Sequence, residues 1–370
     1  MEGVMDLQKL LVLSQVPGVG TTRLRALMTH FKSPAAVFEA SARELIKVPG
    51  IEEKTARSIL HFKDGVRFAN EQLKRLQKMG GAIITFWDNA YPENLKRIYD
   101  PPPYLYTFGS FADSDKYSIA IVGTRTPSNY GKLLAEKFTA ELGALGLTIV
   151  SGLARGIDTI AHSSALRKGA RTTAVIGSGI DVIYPPENKT LAETIKHNGV
   201  IVSEFEMGAK PDAEHFPQRN RIISGLSLGT LVIETDVDGG AMLTARWALD
   251  QNREVFAIPG PLTEKRSAGC NLLIKRGEAK LVQSVDDILE ELSTKLRPLL
   301  CDKQPHELKP LPHLTLFEKK IYDILYETPS HIDMIAEQSK LTTADALVNL
   351  LSLEFKGLVK QLPGKMFVKL

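Results

Sequence analysis

The chain is 370 residues long and 43% apolar, so it can bury at least one sizeable core, and its length suggests roughly two or three domains. Lys and Arg outnumber Asp and Glu by 46 to 43, a net charge of +3 that permits polyanion binding without requiring it, so any nucleic-acid site must come from local clustering. The two cysteines, Cys270 and Cys301, have neither a CxxC spacing nor a His-rich neighbourhood, which excludes a disulfide framework and a recognisable metal site, and no apolar run reaches the length of a membrane span.

At the N-terminus the apolar run Leu10 to Leu13 is too short for a signal segment and is preceded by Glu2 and Asp6 rather than by a basic stretch, so a cytoplasmic protein is expected. Residues 1–80 read as helical, and VPGVG at 16–20 and VPGIEEKTA at 48–56 punctuate two similar helix-turn-helix units, an internal repeat. Pro17-Gly18-Val19-Gly20 is similar to a helix-hairpin-helix turn, whose backbone amides can hold a nucleic-acid phosphate without reading sequence. The second copy carries Glu52 where the later glycine would fall, and an acid there repels phosphate. A Pro-rich connector follows, with Pro92 and Pro101 to Pro103.

From about Tyr117 the pattern alternates between strand and helix, with strands predicted at 117–122, 147–150, 172–177, 200–204, 230–235, 254–258 and 279–283. Such alternation implies right-handed crossovers and an α/β fold: a doubly wound, mostly parallel sheet with helices on both faces. Ligands in these sheets bind beyond the carboxyl ends of the strands. The turns at those ends are rich in glycine and cations, and backbone amides at such turns and at helix N-termini favour anions.

Gly123-Thr124-Arg125 leaves the strand SIAIV, and Arg125 supplies a planar fork of donors. Ser151-Gly152-Leu153-Ala154-Arg155-Gly156 leaves the next strand and opens a helix on which Asp158 and His162, four apart, are expected to pair with each other in a structural role. Gly177-Ser178-Gly179 leads into DVIYPPENK, with Lys189 near the start of the following helix. Arg219, Asn220 and Arg221 lie in FPQRNR; the two arginines point to different sides of a helix, one toward the ligand and the other toward an acidic neighbour or a partner chain. Gly239-Gly240 opens the helix AMLTARWALD with free amide donors, and Thr244 lies one turn in.

Several catalytic signatures fail. GLSLG at 225–229 matches G-x-S-x-G, but Ser227 follows a helix and precedes a strand, the reverse of a nucleophile elbow. Gly131-Lys132 is followed by Leu, so the phosphate-loop signature is absent, and neither a complete GxGxxG nor an HExxH occurs. No catalytic residue, cofactor or metal is expected.

After VDDILEEL, residues 297–313 read as a linker. Residues 314–370 show three short helical patterns followed by two apolar runs around a Pro-Gly turn, a winged-helix outline. That segment carries seven Lys against seven Asp plus Glu, whereas a DNA-reading helix usually has a basic face, so protein contact is expected there at least as much as DNA contact.

The set IAIVGTR, SGLARGIDTIAH, IGSGIDVIYPPENK, FPQRNRIISGLS, ETDVDGGAMLTARWALDQNREVFAIPG and GCNLLIKRGEAKLV, in that order over roughly residues 90–290, resembles the DNA-processing protein A family, also called DprA or Smf. The resemblance implies an extended Rossmann-like domain (81–296) between a helical helix-hairpin-helix or SAM-like domain (1–80) and a winged-helix domain (314–370). It implies a homodimer that binds single-stranded DNA, protects incoming strands during natural transformation and loads RecA, and that is not an enzyme. Arg125 and Lys189 would be the principal phosphate contacts, with Gly123, Gly152, Arg155 and Gly156 lining the pocket and Arg219, Asn220 and Arg221 supporting it. Leu272, Leu273 and Ile274 are the candidate dimer contacts. The competing reading is a nucleotide-cleaving phosphoribohydrolase of the lysine-decarboxylase-like superfamily, dependent on Glu234 or Asp236. Its GGxGTxxE turn is incomplete here, because Gly239-Gly240 is followed by Ala-Met-Leu-Thr-Ala-Arg.

Overall fold

Seven apolar runs, most of them buried on both faces, set the centre of the molecule. The computed structural model describes residues 6–301, 314–325, 330–356, 358–362 and 364–369, and divides into two compact units, 1–300 and 301–370. The first unit holds a nine-stranded sheet: β1 (Ala82–Thr85), β2 (Tyr104–Gly109), β3 (Ser118–Val122), β4 (Thr148–Ser151), β5 (Thr172–Val175), β6 (Gly199–Ser203), β7 (Gly229–Val232), β8 (Glu254–Ala257) and β9 (Lys280–Leu281). Their spatial order is β1-β2-β6-β5-β4-β3-β7-β8-β9, parallel from β3 to β9.

Side chains alternate across the sheet as the pleat requires. Ala120 and Val122 of β3 pack on one face with Ile222, Ile223 and Leu226 of the helix His215–Leu226 and with Ala241 and Ala245 of the helix Gly240–Asp250. Ile119 and Ile121 pack on the other with Phe138 and Leu142 of the helix Asn129–Ala144 and with Ile157 and Ala161 of the helix Ile157–Arg167. β3 is central: β4, β5 and β6 follow on one side, whereas β7, β8 and β9 lie on the other, with Val122 beside Val232. The succession reverses at β3, which opens a crevice at the carboxyl ends of β3 and β7.

Two strands lie where a connector was expected. β1 pairs with β2 and β2 with β6, both antiparallel, with Tyr106 opposite Ser203. The flanking prolines masked YLYTFG, a strand buried from Leu105 to Phe108 with no alternation to signal it. The predicted strand at 279–283 is the two-residue edge β9.

Two hairpins repeat within residues 1–80: Val19 N–H donates to the Val16 carbonyl at 2.9 Å and Ile51 N–H to the Val48 carbonyl at 3.0 Å, with Gly18 and Gly50 at φ +88° and +83°. These helices share a core with the sheet, Leu11, Val12, Ala69 and Leu76 packing with Tyr106, Phe108 and Ile201. At the far end the helix Ser293–Cys301 continues past Arg297, where a linker was expected to begin, and residues 302–313 lie outside the described residues.

The second unit has the helices Leu316–Ile324, Ile332–Ser339 and Thr343–Phe355 and a three-stranded antiparallel sheet of β10 (Ser330–His331), β11 (Val359–Leu362) and β12 (Met366–Lys369), the winged-helix arrangement. Its core gathers Ile321, Ile335, Leu350, Leu353 and Phe367. The helix Thr343–Phe355 contains no Lys or Arg and exposes Leu347, Val348 and Leu351.

Candidate nucleic-acid interface

The crevice at the switch point is a cleft of about 580 Å³ between the turns after β3, β4 and β7 and the helices His215–Leu226 and Gly240–Asp250. Gly123, Thr124, Arg125, Arg219, Asn220, Gly239, Gly240 and Thr244 all line it, although they are scattered over 122 positions of the chain (123 to 244). A smaller recess adjoins it, lined by Gly152, Arg155, Tyr184 and Phe216, with Arg125 shared by both.

Short-range bonds weld these turns together. Thr124 N–H donates to the Glu234 carbonyl at 2.6 Å and Ile157 N–H donates to the Thr124 carbonyl at 3.2 Å, tying β3, β4 and β7 at one edge. Gly156, at φ +77°, lies where a β-carbon would strike that Thr124 carbonyl, so only glycine fits.

Arg125 is exposed, has no acidic partner among the described residues, and sits 5.5 Å from the centre of the Phe216 ring, a cation–π distance. Arg219 lies 5.9 Å from the same ring but is buried in the wall, donating to the carbonyls of Gly152, at 2.6 Å, and Val175. Burial pulls its pKa down to about 10, against the attraction of Asp158, so it stays cationic at neutral pH. One charge is thus exposed at the mouth and one fixed behind it.

Several expected contacts are used elsewhere. Arg221 turns away from the cleft: it is buried, pairs with Glu204 and donates to the Asp100 carbonyl at 2.7 Å. The Ser151 hydroxyl is buried and donates to the Ile121 carbonyl at 2.7 Å, while Gly179 N–H donates to the Ala209 carbonyl at 2.9 Å beneath the 206–209 loop, so neither lines the cleft. Arg155 is at the recess, paired with Glu187 at 2.5 Å. Lys189 is exposed at the first turn of the helix Lys189–Asn198 and lines neither cavity.

Asp158 and His162 do not pair, because each finds a stronger local partner. The Asp158 carboxylate accepts from the N–H groups of Gly152 (3.1 Å) and Ala154 (3.3 Å), holding the loop after β4. Burial raises its pKa, with Arg219 and those donors opposing. His162 meets the Thr172 hydroxyl at 2.7 Å, and since that hydroxyl donates to Ile149, the histidine Nδ1–H is the donor. Burial holds its pKa down to about 3, so the ring is neutral. Glu234 is equally committed: its carboxylate takes the N–H (2.9 Å) and hydroxyl (2.5 Å) of Ser128 at the start of the helix Asn129–Ala144. Leu273 is fully buried in the core of its own chain and so is not a surface contact, whereas Leu272 and Ile274 are half-buried.

Aromatic groups at the cleft were not singled out from sequence. Phe216 stands between the two cavities, Tyr184 lies 6.1 Å from its ring, and the half-exposed Trp247 donates to the Pro217 carbonyl at 3.2 Å. The signal was an aromatic beside each basic or proline-marked turn, IYPP and HFPQRN.

A family model for DNA recombination-mediator protein A matches residues 82–293. The chain belongs to the DprA/Smf family. A DprA winged-helix model matches residues 305–365 and a SAM-like helix-hairpin-helix tandem matches 10–61. Protein Smf of Synechocystis is 36% identical over 387 residues, 96% of each chain, and the DNA processing protein DprA of Streptococcus pneumoniae is 44% identical over 218 residues, 59% of this chain and 76% of that one. In structure the family member from S. pneumoniae superposes with a TM-score of 0.66 at 32% identity, covering 78% of this chain and 99% of its own. Another, from Helicobacter pylori, described for a unique single-stranded DNA binding mode, gives 0.53 at 32% identity over 58% of this chain and 96% of its own.

Proposed function

We propose that the cleft binds single-stranded DNA without regard to sequence, and that the protein acts on incoming strands in natural transformation, shielding them and handing them to RecA. The observation that carries this is the exposed Arg125 beside Phe216 at the mouth of a glycine-walled cleft, with the buried cation of Arg219 behind it. Phosphates would meet the guanidinium and the open amides, and bases would stack on Phe216 and Tyr184, a combination that tolerates any sequence. Arg155 joins when a strand displaces Glu187, and Lys189 contacts the strand as it leaves the recess. The H. pylori relative, described with single-stranded DNA, supports this reading.

In this reading the protein is a cytoplasmic homodimer and binds its strand without cleaving it; the use of the Glu234 carboxylate as a helix cap counts against the phosphoribohydrolase alternative. No helix among the described residues is long and apolar enough to cross a membrane. The test is competition between single-stranded and duplex oligonucleotides of one sequence at fixed salt. Preference for the single strand is expected, and equal or duplex-favoured binding would reject the proposal.

A further inference from the structure

The inner end of the cleft holds more polar capacity than the fold uses. The helix Gly240–Asp250 points its N-terminus into the cleft with no side-chain cap and no acid in its first turn. Gly240 and Ala241 N–H lie in the first turn, where no intrahelical acceptor exists, and the macrodipole adds partial positive charge there. Two buried polar groups on the same lining lack partners among the described residues. Arg219 Nε is one, fully enclosed in a side chain only 4% exposed; the Thr244 hydroxyl is the other, on a residue 2% exposed one turn into the helix, making no hydrogen bond among the described residues and lining the cleft. A buried donor left unmade costs stability, so the pair marks a place where a ligand completes the bonding.

The helices His215–Leu226 and Gly240–Asp250 are tied together by Asn220 donating to the Gly240 carbonyl at 3.4 Å and Trp247 donating to the Pro217 carbonyl at 3.2 Å, so no strand runs on between them. Two acids line the cleft and both are engaged: Asp236 pairs with Lys265 at 3.0 Å and accepts from Val237 N–H at 2.7 Å, and Asp158 accepts from the N–H groups of Gly152 and Ala154 and offsets the charge of Arg219. A group reaching Thr244 must therefore project down from above. An internal phosphodiester would have to bring both flanking sugars with it and offers a single charge. A terminal phosphomonoester has one ester link, three free oxygens and close to two charges.

We propose that this inner end seats the terminal phosphate of a single strand, so that the protein grips a strand by its phosphorylated end. This deepens the single-strand reading and rests on it. The Gly240 and Ala241 amides and the Thr244 hydroxyl take the phosphate oxygens, Arg219 compensates the charge from behind, and the following nucleotides run outward past Phe216 and Arg125.

The test uses the full chain and one oligodeoxynucleotide sequence in four forms: 5′-phosphorylated, 3′-phosphorylated, hydroxyl at both ends, and closed into a circle. One phosphorylated end is expected to bind about tenfold more tightly than the hydroxyl form and the circle, as charge-assisted bonds at a helix N-terminus allow. Thr244→Val removes a hydroxyl that no fold contact uses, so the protein should keep its thermal midpoint, and the ratio of phosphorylated-end affinity to circle affinity should fall from about tenfold to about one. Equal affinity for all four forms overturns the proposal and leaves the single-strand reading standing, whereas failure of every form to bind overturns both. Inorganic phosphate displacing the phosphorylated strand at similar concentration would assign the seat to a free anion and overturn it as well.

Discussion

Arg219 donates to the Gly152 carbonyl at 2.6 Å from within the cleft wall, and a β-carbon on Gly152 would run into the same guanidinium. The glycine and the arginine therefore form one unit that joins the turn after β4 to the helix His215–Leu226. Gly152→Ala forces a buried group to move and should cost about 1–3 kcal/mol, as overpacking in cores does. Chemical denaturation measures it, and an unchanged midpoint would show that the arginine relocates freely.

Arg125 is the cation at the mouth. Arg125→Ala should weaken single-strand binding similarly for all sequences and lower the salt slope by about 0.7, the increment for one phosphate neutralised on a single strand. Lys189→Ala should lower it by a similar increment if the strand leaves by the recess. Binding titrations over a series of salt concentrations read both, and an unchanged slope removes that residue from the interface.

Arg221, two positions on from Arg219, predicts the opposite pattern. Its guanidinium and the Glu204 carboxylate are both nearly sealed from solvent, and burial raises the Glu204 pKa against the pull of that arginine. Arg221→Ala strands a buried carboxylate and should cost about 3–5 kcal/mol, with most of it recovered by the apolar pair Arg221→Met with Glu204→Leu. The salt slope of the folded protein should stay the same. A lower slope with unchanged stability would return Arg221 to the DNA.

In the winged-helix unit Glu318 accepts from Lys356 and the Ser352 hydroxyl (2.6 Å) and from Thr315 N–H (2.6 Å), which hold its pKa down to about 2 from an ordinary 4.5. A depressed carboxylate stabilises the folded form fully above about pH 4.5, and that contribution fades as pH falls toward 2. The thermal midpoint of this unit should therefore drop through that window in the full chain, and Glu318→Gln should flatten the drop. Identical pH profiles for the two proteins would dismiss the carboxylate as the cause.

Much of this architecture was legible locally. Runs such as SIAIV and GVIVS, short, β-branched and bounded by turn residues, read as strands buried on both faces, the repeated VPG turns mark two hairpins, and glycine with a cation after a strand marks an anion-binding edge. The same signals failed where a residue's partner lies outside its own helix or strand. Asp158 and His162 have the spacing of a helical pair, yet the backbone amides of one loop and the hydroxyl of Thr172 on the neighbouring strand claim them first. YLYTFG became a strand because β6 offered an open edge, which no local pattern announces.

By itself the sequence determined most of the elements, the parallel class of the central sheet and the chemistry of its turns, because those follow from periodicity and from the few residues that tolerate each backbone shape. Only the tertiary structure decided that β3 and β7 are neighbours, that Arg219 faces the cleft while Arg221 faces Glu204, and that Phe216 stands beside Arg125. Strand order and helix rotation are set by the packing of whole faces against one another, and that free energy belongs to contacts between distant segments rather than to any stretch of the chain.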